Sequence, residues 1–260
     1  MKNMKNTKLI LAMAPILFGA SSIANAQLSN QNNTGNTTIA SAVAPAGSVV
    51  LYDQISLTPR GNGEPDQNFE AAYDIYDSEA ADDFVVPSGL NWEIDSVNII
   101  GSQSAAGTAA SVDITFYKDN GGTPGAAVSG CSYAGIATVD TGGSLSTTLP
   151  TTCVLSPGTY WMGHITNQDF ATSGQHFFSN TDTVSGSEAH WLNPGDGFGT
   201  GCTTFSPAGT VCGVGGGAPA YDLLFSLGGQ AQAVKIPSLN LFGLALMILS
   251  LGFFGRKFAK

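Results

Sequence analysis

The sequence predicts an all-β protein: an antiparallel, jelly-roll-like β-sandwich, with an N-terminal signal helix before it and a single C-terminal transmembrane helix after it. Three observations point there. Between residues 47 and 230, short apolar runs alternate with polar residues at period two, divided by Gly, Pro, Asn, Asp and Ser. The same span carries no convincing amphipathic helical period, and the chain's 33 glycines fall mostly in turns such as "KDNGGTPG" and "DTGGS". Both ends hold apolar stretches flanked by lysine or arginine, in a chain with nine basic residues in all.

The first element is "MKNMKNTKLILAMAPILFGASSIANAQ". Lys2, Lys5 and Lys8 form a positive start, "LILAMAPILFGA" an apolar core, and Ala24-Asn25-Ala26 a small-x-small site. That order predicts an export signal over residues 1–26, cut between Ala26 and Gln27. Residues 27–46, "QLSNQNNTGNTTIASAVAPA", are polar and lack an apolar period, which predicts a flexible leader.

The β-sandwich ectodomain is expected over residues 47–230. "GSVVLYDQIS", "ADDFVVP", "NWEIDSVNIIGS", "ASVDITFYKD", "GTYWMGHITN", "HFFSN" and "YDLLFSLGG" read as strands. In the fourth, Val112, Ile114 and Phe116 alternate with Asp113 and Thr115, one face in and one face out. In the third, the phase moves by one residue between Trp92/Ile94 and Val97/Ile99, which predicts a bulge near Asp95. Asp119 and Asn120 in "KDNGG" are turn formers. "NPGDGFGTGCTTFSPAGTVCGVGGGAPA" is too long for a hairpin and needs a staple.

Four cysteines, Cys131, Cys153, Cys202 and Cys212, form an even set in a chain with an export signal, so two disulfides are expected. Of the three pairings available, the local ones, Cys131–Cys153 and Cys202–Cys212, are favoured. A zinc site lacks support, because the spacings contain no C-x-x-C and His164, His176 and His190 are scattered. All 19 acidic residues lie between Gln27 and Val234, with only Arg60 and Lys118 of the basic ones. Two positive charges against nineteen negative give that span a formal charge of −17. Such a field repels a phosphate backbone, which excludes nucleic acid as a partner.

The last element is "IPSLNLFGLALMILSLGFFGRKFAK". Residues 236–255 make 20 positions, about 30 Å as a helix, enough to cross a hydrocarbon core. Arg256, Lys257 and Lys260 follow as a basic tail, which places the C-terminus on the cytoplasmic side and the ectodomain outside. Ile236, Pro237, Ser238 and Leu239, then Phe242, Gly243, an apolar stretch and the basic end resemble the IPTL-CTERM sorting tail of Gram-negative bacteria. Ser238 stands where that family has threonine, and Phe242 where it has tryptophan. The resemblance covers residues 236–260 and implies a partner, an exosortase-type processing enzyme of the inner membrane that cuts near the motif. It implies an anchor that is transient, with the mature protein released or attached at the cell surface. "EAADDFVVPSGLNWEIDSVNIIGS", "VDITFYKDNGGTPGAAVS" and "LSPGTYWMGHI" are together similar to a poorly characterised β-sandwich module of secreted bacterial proteins, which carries over no catalytic residue.

Candidate chemistry is sparse. Asp74, Asp77, Glu79, Asp82 and Asp83 are the densest acidic group and offer oxygens to Ca2+, although no D-x-D-x-D-G loop is present. Acidic residues also form turns and solubilise edge strands. No other cofactor is expected. "GCSYAG" lacks the final glycine of a nucleophile elbow, no H-E-x-x-H occurs, and a pair such as Glu79 and Asp83 would have to serve as a glycosidase acid and base. Trp161, Phe177, Phe178 and Trp191 would stack on sugar rings if exposed, but strand aromatics are more commonly core, and that expectation is adopted. The expected protein is an exported surface or extracellular-matrix component, associated with surface polysaccharide and not an enzyme. Its rival is a secreted carbohydrate-active hydrolase.

Overall fold

In a computed structural model of the chain, residues 28–29 and 47–234 are described. The signal segment with Ala26 and Gln27, the leader apart from residues 28 and 29, the sorting residues Ile236 to Gly243 and the basic tail Arg256, Lys257 and Lys260 lie outside them.

The regular structure is β. In chain order the strands are β1 (Val49–Asp53), β2 (Gly63–Pro65), β3 (Gln67–Asn68), β4 (Glu79–Val86), β5 (Leu90–Ile99), β6 (Gly101–Gln103), β7 (Ser111–Asp119) and β8 (Pro124–Ile136). Then come β9 (Val139–Thr141), β10 (Ser144–Leu155), β11 (Gly158–Asn167), β12 (His176–Thr181), β13 (His190–Leu192), β14 (Ser206–Pro207), β15 (Asp222–Leu223) and β16 (Phe225–Ala233). One short α-helix, α1 (Phe170–Ser173), joins β11 to β12, and among the described residues a 3-10 turn at Asp74–Tyr76 and a π turn at Ala208–Cys212 are the other helical pieces.

One sheet has the order β1-β16-β5-β10-β9, and a second β14-β13-β4-β11-β7-β8 with β3 added beside β11. A small sheet, β15-β12-β2 with β6, closes one end. The pairings are antiparallel except for β3 on β11, which is parallel. The two main sheets face each other across one core. Phe84 of the second sheet stacks on Trp92 at 6.0 Å and meets Phe225 at 6.5 Å, both from the first. Burying each such ring stabilises the fold by about 2–3 kcal/mol.

All seven runs read as strands are strands, with "YDLLFSLGG" divided at Leu224 into β15 and β16. The bulge near Asp95 is present: Ser96 pairs with Gly228 and Ile94 with Gly229, leaving Asp95 as the extra residue. Its side chain then accepts hydrogen bonds from Ser48 and Ser96, both at 2.9 Å. Asp119 forms the expected turn, accepting from the N–H groups of Gly121 and Gly122. Two long strands, β8 and β10, carry little apolar alternation in the sequence. β8 is an edge strand that buries chiefly Cys131 and Tyr133, so its other positions are free to be Gly, Ala and Ser.

Both expected disulfides form. Cys131–Cys153 links β8 to β10 and so ties the second sheet to the first, with Cα atoms 5.1 Å apart. Cys202–Cys212 closes the long turn-rich segment, Cα atoms 5.8 Å apart. Part of that segment lies over the outer face of the second sheet, where Phe205 meets Tyr117 at 5.5 Å, and Phe198 meets Trp191, which is turned to the core, at 5.8 Å. Gly163 of β11 lies beside Tyr117, where a Cβ would stand 2.2 Å from Glu79 Oε1.

Candidate functional site

A cleft of about 250 Å³ opens where β3 runs beside the end of β11 and the chain turns into α1. Asn68, Phe69, Thr108, Asn167, Asp169 and Thr172 are among its lining residues. Its floor is held rigidly. Asn167 donates through Nδ2 to Asp113 Oδ1 at 2.7 Å and to Ser111 Oγ at 3.2 Å, and accepts from Asn68 Nδ2 at 2.8 Å. Gln168 donates to the carbonyl of Gly174 at 3.0 Å. The parallel register that sets Asn68 against Asn167 comes from the one parallel pairing, so the floor is a product of topology.

The aromatic wall has its own support. Phe69 donates its N–H to Asp77 Oδ1 at 2.8 Å, and its ring meets Phe170 at 6.4 Å and Tyr76 at 6.5 Å. Tyr73 meets Phe170 at 5.5 Å, and Tyr76 continues to Phe198 at 5.1 Å. Phe69 itself is buried, and Phe170, Tyr73, Tyr76 and Phe198 are half-buried behind it, outside the cleft lining.

Below the same end, Asp66 lies buried between two histidines. His164 Nδ1 is 2.7 Å from one carboxylate oxygen and His176 Nδ1 2.5 Å from the other. Thr166 Oγ1 lies 3.1 Å from His176 Nδ1, and His176 Nε2 lies 2.7 Å from the Gly143 carbonyl. Burial disfavours charge on Asp66, but the two histidines outweigh it and hold its carboxyl below the usual range. Burial likewise opposes a charged His176, and Asp66 outweighs it and moves the ring's pKa up. At exposures of 0–1 % these side chains offer no substrate access, so they brace the fold from inside.

The five acidic residues considered for Ca2+ do not converge. Asp74 is exposed on a single 3-10 turn, and Asp77 is engaged with Phe69. Period two along β4 sends Asp82 to the opposite face from Glu79 and Asp83. Glu79 accepts from Tyr117 Oη at 2.7 Å. Asp82 accepts the N–H groups of Asp83 and Leu223, and Asp83 that of Ser187. Burial lifts Glu79 to about 7 and Asp83 to about 6. Among the described residues, no group of three or more His, Cys, Asp or Glu is placed to hold a metal ion.

Trp161, Phe177, Phe178 and Trp191 are buried, as core aromatics should be. Trp161 Nε1 donates to Asp119 at 2.9 Å and Trp191 Nε1 to the Pro65 carbonyl at 2.7 Å, which satisfies both indoles. The cleft residues were not singled out by sequence; their trace is two polar stretches each holding a phenylalanine, "DQNFE" and "TNQDFATS", about 100 positions apart. No protein-family model matches the chain, and no curated protein matches it.

Proposed function

We propose that this chain is an exported surface or extracellular-matrix protein that binds polysaccharide and has no enzymatic activity of its own. Its signal helix is removed after Ala26. The segment 236–255 then holds it in the inner membrane as a transient transmembrane helix, C-terminus in the cytoplasm, until an exosortase-type enzyme cuts at the Ile236–Leu239 motif. The jelly-roll-like sandwich is the part that remains at the surface or is released. The two disulfides agree with an oxidising compartment.

One observation carries the binding reading: an open cleft lined by amides, hydroxyls and an aromatic ring, with further aromatics behind that ring. Amide and hydroxyl groups match sugar hydroxyls, and ring faces match the apolar C–H faces of a pyranose. The lining contains a single carboxylate, Asp169, whereas a two-carboxylate glycosidase needs an acid and a base some 5–10 Å apart. Glu79 and Asp83 lie instead outside the cleft lining, engaged with Tyr117 and Ser187. The test is affinity electrophoresis of the secreted protein through gels holding neutral or acidic polysaccharides, with reducing-sugar release measured in parallel. Retardation without sugar release is expected. Migration unaffected by every polymer, or release of sugar ends, overturns the reading.

A further inference from the structure

We infer that the cleft selects neutral saccharides, with the Asp169 carboxylate as acceptor for a pair of sugar hydroxyls, and rejects acidic ones; this rests on the polysaccharide-binding reading above. Asp169 occupies the position before α1, where an aspartate side chain ordinarily accepts the first N–H groups of the helix. Here it makes no such bond. Glu70 has taken that role from another part of the chain, accepting Phe170 N at 2.7 Å and Ala171 N at 3.3 Å. The Asp169 carboxylate is therefore left at the cleft lip, exposed and uncommitted. A carboxylate accepts O–H donors through short charge-assisted bonds, and its two oxygens match two neighbouring hydroxyls of one ring.

Among the described residues, the charge distribution disfavours the other class of sugar. A uronate, sulfated or phosphorylated glycan needs a cation to replace lost hydration. Arg60 is engaged with Asp182 at 3.1 Å and reaches toward the carbonyls of Ala218 and Pro219. Lys118 pairs in register with Tyr160, at the far end of β11 from Asn167. Seven residues of strand separate those two positions, about 23 Å. The three histidines are buried, so none reaches the cleft. An anion entering it meets Asp169, with Glu70, Asp77 and Asp113 close behind the walls. A neutral sugar meets the same carboxylate as a partner.

The remaining contacts suit a short stretch of chain. Phe69, 6 % exposed, adds a small apolar strip backed by Phe170 and Tyr76, and the Asn68–Asn167–Asp113 series is pre-set, so binding orders few side chains. The volume sits just under the ~300 Å³ at which small-molecule pockets begin, room for one or two rings and no more.

The experiment compares binding of the secreted protein to dextran and galactomannan with binding to polygalacturonate and alginate, by affinity electrophoresis and titration calorimetry. At least one neutral polymer is expected to bind tenfold or more tighter than either polyuronate. Asp169→Ala should weaken that binding tenfold or more, and Asp169→Asn, which keeps one acceptor oxygen, less. Asp169 is exposed, so both variants should fold; an unchanged thermal midpoint checks this. Polyuronate binding equal to or tighter than neutral binding, or unchanged affinity in Asp169→Ala, overturns the inference while leaving polysaccharide binding in place. No binding to any of the four polymers overturns both.

Discussion

His176 faces Asp66 Oδ1 with Nδ1 at 2.5 Å and the Gly143 carbonyl oxygen with Nε2 at 2.7 Å, so both ring nitrogens meet acceptors. A ring in that position carries both protons, and the buried charge is balanced by Asp66. His164 and Thr166 complete the surroundings of the carboxylate, and Asp140 adds negative charge on the far side of His176. This pair joins β12 to the β2–β3 corner across 110 positions of sequence.

Its pH dependence has a definite sign. The raised pKa of His176 gives stability that is complete below about 6.5 and lost as pH rises through the raised value. The lowered pKa of Asp66 gives stability present above 3.8 and lost as pH falls through the lowered value. His176→Asn should destabilise the protein by about 3–5 kcal/mol at pH 6, because Asp66 is left buried without its cation. Urea unfolding at pH 6 measures this, and a loss under about 1 kcal/mol would show that the pair is not ionised.

A second group of residues acts in the same direction. Burial lifts Glu79 and Asp222 to about 7, and Asp83 to about 6. Raised carboxylates contribute stability that is fully present below their unfolded values and is lost as pH rises from there through 6 to 7. The thermal midpoint should therefore be highest in mild acid and fall toward pH 8. Glu79→Gln keeps an acceptor for Tyr117, and should flatten the curve and raise stability at pH 8 by about 1 kcal/mol. An unchanged slope would remove Glu79 from this account.

The two disulfides should differ in what they hold. Cys131–Cys153 spans 22 positions and joins the sheets, so replacing both cysteines with Ala should cost about 3 kcal/mol in global stability. Cys202–Cys212 spans 10 and holds the long turn-rich segment, so its loss should expose amides of residues 195–212 to hydrogen exchange before the core opens. Exchange mass spectrometry of each double mutant separates local from global opening. Equal global destabilisation by both would contradict the division.

The tail is tested in cells. A proline lacks an N–H and disfavours helical backbone in the residue before it, so on the proposed sorting function Pro237 is the residue expected to matter for processing. Pro237→Ala and Phe242→Ala should leave the protein exported but uncut, with full-length chain accumulating in washed inner membranes. If the wild-type mature protein retains its basic tail, the segment is a plain anchor.

The strands were legible because period two is a local property: Val112, Ile114 and Phe116 declare their face within five residues. The bulge at Asp95 was legible for the same reason, as a slip of phase inside one strand. β8 was not, since an edge strand that buries chiefly Cys131 and Tyr133 needs little apolar residue to pair, and β10 was not, since it buries Ser144, Ser146 and Thr147 beside Leu145 and so shows no apolar period. The acidic run from Asp74 to Asp83 looked like one cluster because its members are neighbours in sequence. Strand geometry then turned Asp82 away from Glu79 and Asp83, which linear spacing does not reveal.

Local order along the chain determined the β class, the turn chemistry and the ten-position Cys202–Cys212 link, because each depends on residues a few positions apart. Only tertiary structure decided which polar groups became partners. Asp66 lies 98 and 110 positions from its histidines, and Asn68 lies 99 from Asn167. Glu70 reaches a helix start 100 positions away and so leaves Asp169 free. The physical reason is that a hydrogen bond acts over about 3 Å of space, with no regard to sequence separation. Burial then sets the charge of whatever that contact brings together.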